Sequence, residues 1–427
     1  MTNYRWIVCA LLFFATTINY IDRQILGLIK PILDDQLHWT NEQYGNTQAF
    51  FSAAYAGSLL FFGWFVDRFG TKIGYAVSIA AWSIAALGHA VVGSVTGFYI
   101  ARVALGLGEG GNFPSAIKAV ALWFPKRERA TATAIFNSGT NVGAMAAPLM
   151  VVPIAVNLGW HWTFILAGLA GFVWLFFWFP FYNVPEKINA ANAAELAHIR
   201  SDRDDTSRDG EKVSWLGLLR HRQTWSFVVA KGLTDPVWWF FLIWLPDFFK
   251  QTRHLDIKDS KLMLATIYGL ATLLSIFSGW IVGRLNQSGW SVTKARKSVM
   301  FCFALCVLPI LAVQGVGDWT AVLIIGLACA AHQAWSANLY TTASDMFPKR
   351  AVASVVGIGG MVGAAMNIGF PIFAGRLLDT FKAQDNISGG YAILFSICAG
   401  AYIVAFIIQH LLAPKFEMVR LKELPSS

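Results

Sequence analysis

Charge is scarce in this chain: Asp, Glu, Lys and Arg make up 13% of its 427 residues, about half the share of a soluble domain. That excludes the roughly three water-soluble domains this length would otherwise suggest. Cysteine is scarce too. Cys9, Cys302, Cys306, Cys329 and Cys398 all fall in apolar stretches, with no Cys-x-x-Cys pair and no histidine at metal spacing, which excludes a disulfide framework and a zinc site. No Gly-x4-Gly-Lys-Ser/Thr loop exists to cradle ATP phosphates, and no His-Glu-x-x-His or Gly-x-Ser-x-Gly lies in an apolar run, so no enzyme and no bound cofactor are expected. The net charge of +9 is not gathered on one aromatic-rich basic face, so nucleic acid is not an expected partner.

What remains is apolar: 56% hydrophobic and 15% aromatic residues. Runs of about 20 residues, bounded by charge, Pro or Gly, fall at 5–28, 43–66, 73–92, 96–121, 130–154, 160–182, 223–249, 262–284, 297–315, 319–343, 352–377 and 391–412. Each is long enough to cross a bilayer as a helix, and none alternates as a barrel strand would. The first is read as a span and not as a cleaved leader, because it is long enough to cross and eleven others follow it. With both termini cytoplasmic, 22 of the 33 Lys and Arg fall on the cytoplasmic side, seven on the other, and four within spans. The positive-inside rule therefore favours that orientation, and the bilayer is the expected environment. Lys250, Arg253, Lys258 and Lys261 run against the rule, and an anion-attracting surface is the expectation for them. The expected class is an all-α membrane protein of twelve transmembrane helices in two six-helix bundles, 1–185 and 223–427, joined by a cytoplasmic linker at 186–222. A surface helix is expected at about 190–200.

An internal repeat supports two related halves. Phe124-Pro125-Lys126-Arg127 recurs as Phe347-Pro348-Lys349-Arg350, each copy after a long apolar run, and Gly143-Ala144 is echoed by Gly363-Ala364. Parallel six-helix repeats point to two bundles that rock about a site near the midplane.

Gly63-Trp64-Phe65-Val66-Asp67-Arg68-Phe69-Gly70-Thr71-Lys72 resembles the G-x-x-x-D-R-x-G-x-K loop between helices 2 and 3 of the major facilitator superfamily. Asn19-Tyr20-Ile21-Asp22-Arg23, with Arg102 and Gly106-Leu107-Gly108-Glu109-Gly110, resembles its anion:cation symporter branch. Asp235-Pro236-Val237-Trp238-Trp239-Phe240 and Ala331-His332-Gln333-Ala334-Trp335-Ser336-Ala337-Asn338 resemble the hexuronate transporters within it. The resemblance spans essentially the whole chain. It implies a monomeric carrier in the bacterial inner membrane that takes up an organic anion, such as galacturonate or glucuronate, together with H⁺. Another sugar acid of the aldonate or glucarate type, or export on the same fold, is the alternative.

Ionisable side chains at membrane depth cost roughly 2.5–3.5 kcal/mol each, so those retained are functional candidates. Arg102 and Glu109 lie two helical turns apart on one stripe, and Asp22 is placed to pair with Arg102. Asp22, Glu109 and Arg102 are the candidate proton-coupling set, with a structural ion-pair cluster as the alternative. Lys231 and Asp235 stand at i and i+4, where they either satisfy one another or leave Lys231 for a carboxylate, and Pro236 is expected to break the helix there. Trp238 and Trp239 offer indole faces for a sugar ring. His332 follows Glu109 at the 223-residue offset of the repeat, and Gln333, Trp335 and Asn338 extend a polar aromatic stripe from it. By resemblance, Tyr20, Arg23, Tyr55 and Thr140 contact substrate, and Gly360 departs from an Asn found in sugar-acid relatives. Gly63, Asp67, Arg68, Gly70 and Lys72 form the expected conformational latch, in which the glycines permit close approach and a tight turn.

Overall fold

The computed structural model describes residues 2–201 and 215–419. Every predicted span is helical, and no strand occurs among the described residues. In chain order the helices are α1 (Tyr4–Leu37), α2 (Asn41–Phe69), α3 (Thr71–His89), α4 (Val95–Glu109), α5 (Asn112–Trp123), α6 (Lys126–Asn157), α7 (Trp160–Phe181), α8 (Ala193–Arg200), α9 (Trp215–Leu218), α10 (Arg222–Arg253), α11 (Ile257–Gln287), α12 (Val292–Val307), α13 (Asp318–Met346), α14 (Lys349–Lys382) and α15 (Ile387–Leu412). Among the described residues, nine helices are long and apolar enough to cross a membrane unaided. The backbone satisfies its own hydrogen bonds in such helices, as a medium without water demands. Two compact units result: Met1–Asp205 with Asp256–Ala265, and Thr206–Leu255 with Thr266–Ser427.

Local chemistry sets the boundaries. Thr40 and Gln43 form a reciprocal capping box that starts α2, and the side chains of Ser94, Ser291 and Asn386 cap α4, α12 and α15, each satisfying an otherwise orphaned N–H. The repeated Phe-Pro-Lys-Arg is one device used twice. Buried Phe124 and Phe347 close the preceding helices through bonds from their N–H to the carbonyls of Val120 and Ala343. Pro125 and Pro348, with matching extended torsions, then open α6 and α14.

Three expectations need correction. The fourth span is two helices, broken at Gly110-Gly111. A Cβ at Gly110 would lie 2.5 Å from the Ser58 side chain, and one at Gly111 2.6 Å from Phe62 and Ser78. The hydroxyls of Ser58 and Ser78 donate to the carbonyls of Leu107 and Gly108, so groups orphaned by the break keep partners. Conversely, α10 runs unbroken through Pro236 and Pro246, held along its length by α14 and α15, as packed membrane helices allow. The ninth span ends as a 3-10 helix over Leu308–Gly315, with Pro309 in its first turn.

Small residues let the main helix pairs close. Cβ atoms at Gly139 and Gly143 of α6 would come within 2.7 Å of the Phe13 and Thr17 carbonyls of α1; at Gly359 and Gly363 of α14 they would strike Phe227 and Asp235 of α10. The same small-xxx-small seam therefore joins the first and fifth spans of each half. Replacing Gly139 by Ala should cost about 1–3 kcal/mol through overpacking against backbone, whereas Gly57→Ala, with open space beside it, should not. Thermal unfolding of the detergent-solubilised variants checks this, and equal midpoints would count against the seam.

The linker helix α8, close to its expected position, is tied to the first unit. The wholly buried Glu195 accepts from the Thr2 hydroxyl at 2.5 Å, from the N–H groups of Tyr4 and Arg5 at 3.1 Å, and from the Arg5 guanidinium at 3.2 Å. Arg5 also meets Glu128, which faces His198 at 2.8 Å. Burial pushes both carboxyls up, but the hydrogen bonds outweigh it and hold them below the ordinary value, Glu195 through Thr2, Arg5 and Tyr4, and Glu128 through His198 and Arg5. A depressed acid stabilises above its unfolded pKa, about 4.3, and loses that contribution as pH falls through the lower folded value. Protection of the α8 amides, corrected for intrinsic exchange, should therefore fall below about pH 4 and be low at every pH in Glu195→Gln; protection that does not change with pH would contradict the clasp.

Candidate functional site

In the first unit, mid-length α1 presents Asn19, Asp22 and Arg23, and α4 ends on Glu109 at the glycine break; Arg23 is 8% exposed and Glu109 and Asp22 are fully buried. The Arg23 Nε donates to Glu109 Oε2 in a buried ion pair. The guanidinium lies over Tyr55 at 4.4 Å, Tyr20 at 5.2 Å and Phe51 at 5.5 Å, aromatic faces that complement a desolvated cation. Arg102 also lies over Phe51, 5.2 Å from its ring, and its Nη2 donates to Gln48 at 3.2 Å.

The expected pair of Asp22 with Arg102 does not form. Both oxygens of Asp22, the Nε and Nη1 of Arg102 and Oε1 of Glu109 are buried without a hydrogen-bond partner among the described residues. Neighbours on a helix point about 100° apart, and here Arg23 and not Asp22 faces the end of α4. Nearby, Tyr75 donates to Asn112 at 2.5 Å and Asn112 to Asn19 at 3.5 Å. Gln48, Phe51, Tyr75 and Asn112 escaped the sequence reading; Asn112 alone carried a signal, as a polar residue just after the Gly-Gly break. Thr140 is half-buried, with its hydroxyl bonded to the Asn137 carbonyl of its own helix at 2.8 Å.

In the second unit, Lys231 and Asp235 satisfy one another, Nζ to Oδ2 at 2.6 Å, with Lys231 4.7 Å from the centre of the Tyr340 ring. Gly359 and Gly363 make room for this pair, since a Cβ at Gly363 would strike the Asp235 carboxylate. His332 stacks on Trp238, centroids 5.4 Å apart and planes within 8°, and its Nδ1 lies 2.6 Å from the Tyr402 hydroxyl. Like Glu109 in the first unit, it reaches the first helix of its own half. Trp335 is wholly buried edge-on to Tyr402, and Asn338 bonds back to the Ala334 carbonyl at 2.8 Å. Trp239 and Gln333 stay half-buried. Tyr340 and Tyr402 carry no distinguishing signal in the sequence, because tyrosines in long apolar runs look like packing.

At the α2–α3 turn, Gly70 has φ +84°, a left-handed conformation that favours glycine. Asp67 Oδ1 accepts from Lys118 of α5 at 2.8 Å, and Lys118 also reaches the Val66 carbonyl at 2.8 Å. Arg68 is exposed, and the Lys72 carbonyl accepts from Trp178. A Cβ at Gly63 would have nothing within 4 Å of it, whereas one at Gly74 would lie 2.6 Å from Val66. The close approach expected of Gly63 belongs to Gly74. In the basic stretch that begins in the last turn of α10, Arg253 is not free to attract an anion: it is bonded to the Val313 and Val316 carbonyls and to Asp318.

The Major Facilitator Superfamily family model matches residues 12–371. The chain belongs to that superfamily. It is 29% identical over 415 residues to the hexuronate transporter of Escherichia coli K12, covering 95% of this chain and 94% of the relative. It is 30% identical over 279 residues to the galacturonate transporter of Dickeya chrysanthemi, 65% of this chain and 81% of that one. A bacterial homologue of the human lysosomal transporter Spinster, solved inward-facing and occupied, shares the fold with a TM-score of 0.76 at 15% identity over 97% of this chain and 98% of that one. The protein is thus an integral membrane transporter and not an enzyme.

The buried Arg23–Glu109 pair gives a stability signature. Arg23→Gln strands the Glu109 charge, at about 3–5 kcal/mol for breaking one partner of a buried pair. Adding Glu109→Gln should recover most of that loss in thermal unfolding, and an additive double variant would argue against the pair.

Proposed function

We propose that this transporter takes up a sugar-acid anion, a hexuronate such as galacturonate or glucuronate, in symport with a proton, by alternating access in a bacterial inner membrane with both termini cytoplasmic. The observation that carries the reading is the pairing of Arg23 with Glu109 inside an aromatic box, beside an Asp22 whose oxygens have no partner among the described residues. An arriving carboxylate suits the planar fork of Arg23 and competes with Glu109 for it. Glu109, released from its cation in an apolar setting, is costly as an anion and is neutralised by taking a proton. Asp22 is the second place where a proton removes a charge that no direct bond offsets. Binding of the anion and of the proton thus favour one another, which is the thermodynamic content of symport. The two curated relatives named for hexuronate and galacturonate agree with that chemistry.

Radiolabelled galacturonate uptake into proteoliposomes under an inward proton gradient tests the reading. Accumulation that collapses with the gradient is expected. Asp22→Asn or Glu109→Gln should abolish accumulation in at least one case while retaining exchange of internal for external substrate. Uptake indifferent to the gradient would reject proton coupling, and no uptake of either hexuronate would reject the substrate.

A further inference from the structure

Residues 413–419, beyond the end of α15, belong to no helix, yet they are fastened to the second unit at several points. The centre of the attachment is Lys297 in α12, only 8% exposed. A buried ammonium needs an acceptor for each of its three N–H groups. Lys297 Nζ donates to the Ala413 carbonyl at 2.6 Å and the Pro414 carbonyl at 2.7 Å and lies 3.1 Å from His410 Nδ1, with the Phe416 ring centre 5.1 Å away. No carboxylate is among these partners. Further along, the Phe416 N–H donates to the Thr293 hydroxyl at 3.1 Å and the Val419 N–H to the Met346 carbonyl at 2.8 Å, one of the carbonyls that the end of α13 leaves without a helical partner. The segment thus crosses from the end of α15 over the start of α12 to the end of α13. Ala413 and Val419 are buried where it leaves and where it lands.

The first unit has the same arrangement built from different chemistry. There the residues after α7 lie on the start of α3 and the end of α5: Trp123 Nε1 donates to the Asn183 carbonyl at 3.0 Å, and Tyr182 stacks at 3.8 Å on Trp178, whose Nε1 donates to the Lys72 carbonyl at 3.0 Å. In each half, then, the chain leaving the sixth span ties the start of the third to the end of the fourth. We infer that 413–419 is a strap, clipped by the Lys297 ammonium, that holds the ends of α12 and α13 together so that the second unit moves as one body during transport. Rocking of one bundle against another needs bundles that do not deform. Lys297 supplies two of the four hydrogen bonds from α12 and α13 to the strap, and both are charge-assisted, so the strap depends on it most. Arg296 ties α12 to α13 separately, through Asp345 and the Thr341 hydroxyl, so release of the strap is a local opening that leaves the fold standing.

Hydrogen exchange and limited trypsin cleavage of the full-length purified protein test the strap. The Phe416 and Val419 amides should be protected in the unaltered protein, and exchange at the intrinsic rate overturns the inference without recourse to any variant. Cleavage of the exposed Lys415–Phe416 bond, followed by mass, reports how often the strap is open. Lys297→Met should speed it by at least about tenfold, and Thr293→Val, which removes a single acceptor, should speed it less. Exchange in the last turn of α13 should rise with it. Equal cleavage rates in the unaltered protein and Lys297→Met overturn the clip, and faster cleavage with unchanged exchange in α13 overturns the strap. In proteoliposomes, Lys297→Met should lower the maximal rate of galacturonate uptake and leave the half-saturating concentration unchanged; an unchanged maximal rate overturns the role in transport. Absence of galacturonate uptake by the unaltered protein instead contradicts the function proposed above, and the exchange and cleavage results then decide the strap by themselves.

Discussion

A charge removed from water must be balanced close by, and that constraint organises this molecule more than any other. Arg23 cannot leave α1 for solvent, so Glu109 and three aromatic faces surround it. The α4 helix stops at the Gly110-Gly111 break, and its last residue, Glu109, meets Arg23 of α1. Ser58 and Ser78 then bond the carbonyls of the last turn. In the second unit the same constraint produces Lys231–Asp235, and Gly363 is glycine because a side chain there would strike that carboxylate.

The packing that surrounds these pairs carries no hydrophobic driving force of its own in a bilayer, because lipid is as apolar as the helix surface. Close backbone approach replaces it. The seams of α1 with α6 and α10 with α14 use two glycines four residues apart at matching places, and the Phe-Pro turn restarts the chain identically before α6 and α14. Duplication is therefore visible in how each half is assembled internally, beyond the short sequence matches.

Much of this was legible in the sequence because the bilayer imposes length and composition on every span. Apolar runs gave the helices, and the scarcity of charge gave Asp22, Arg23, Arg102, Glu109 and Lys231 as the side chains of interest. What a helical repeat could not reveal was direction around the helix to within one residue: Asp22 and Arg23 are equally plausible partners for α4 until the backbone is known. Gly63 and Gly74 read alike as glycines, and only the neighbouring Val66 distinguishes them. Pro236 looked like a break because the local cost of proline is plain in sequence, whereas the α14 and α15 surfaces that hold α10 together come from more than a hundred residues away. His332 was found by symmetry, but its partners Trp238 and Tyr402 lie on two other helices.

The coupling idea reduces to one count. Purified protein in weakly buffered solution with a pH indicator, titrated with galacturonate at neutral pH, reports the protons taken up per anion bound. Uptake of one proton per galacturonate, lost when the coupling carboxyl is replaced by its amide, is what the charge balance of the first unit requires. Tight binding of galacturonate with no proton uptake would contradict it.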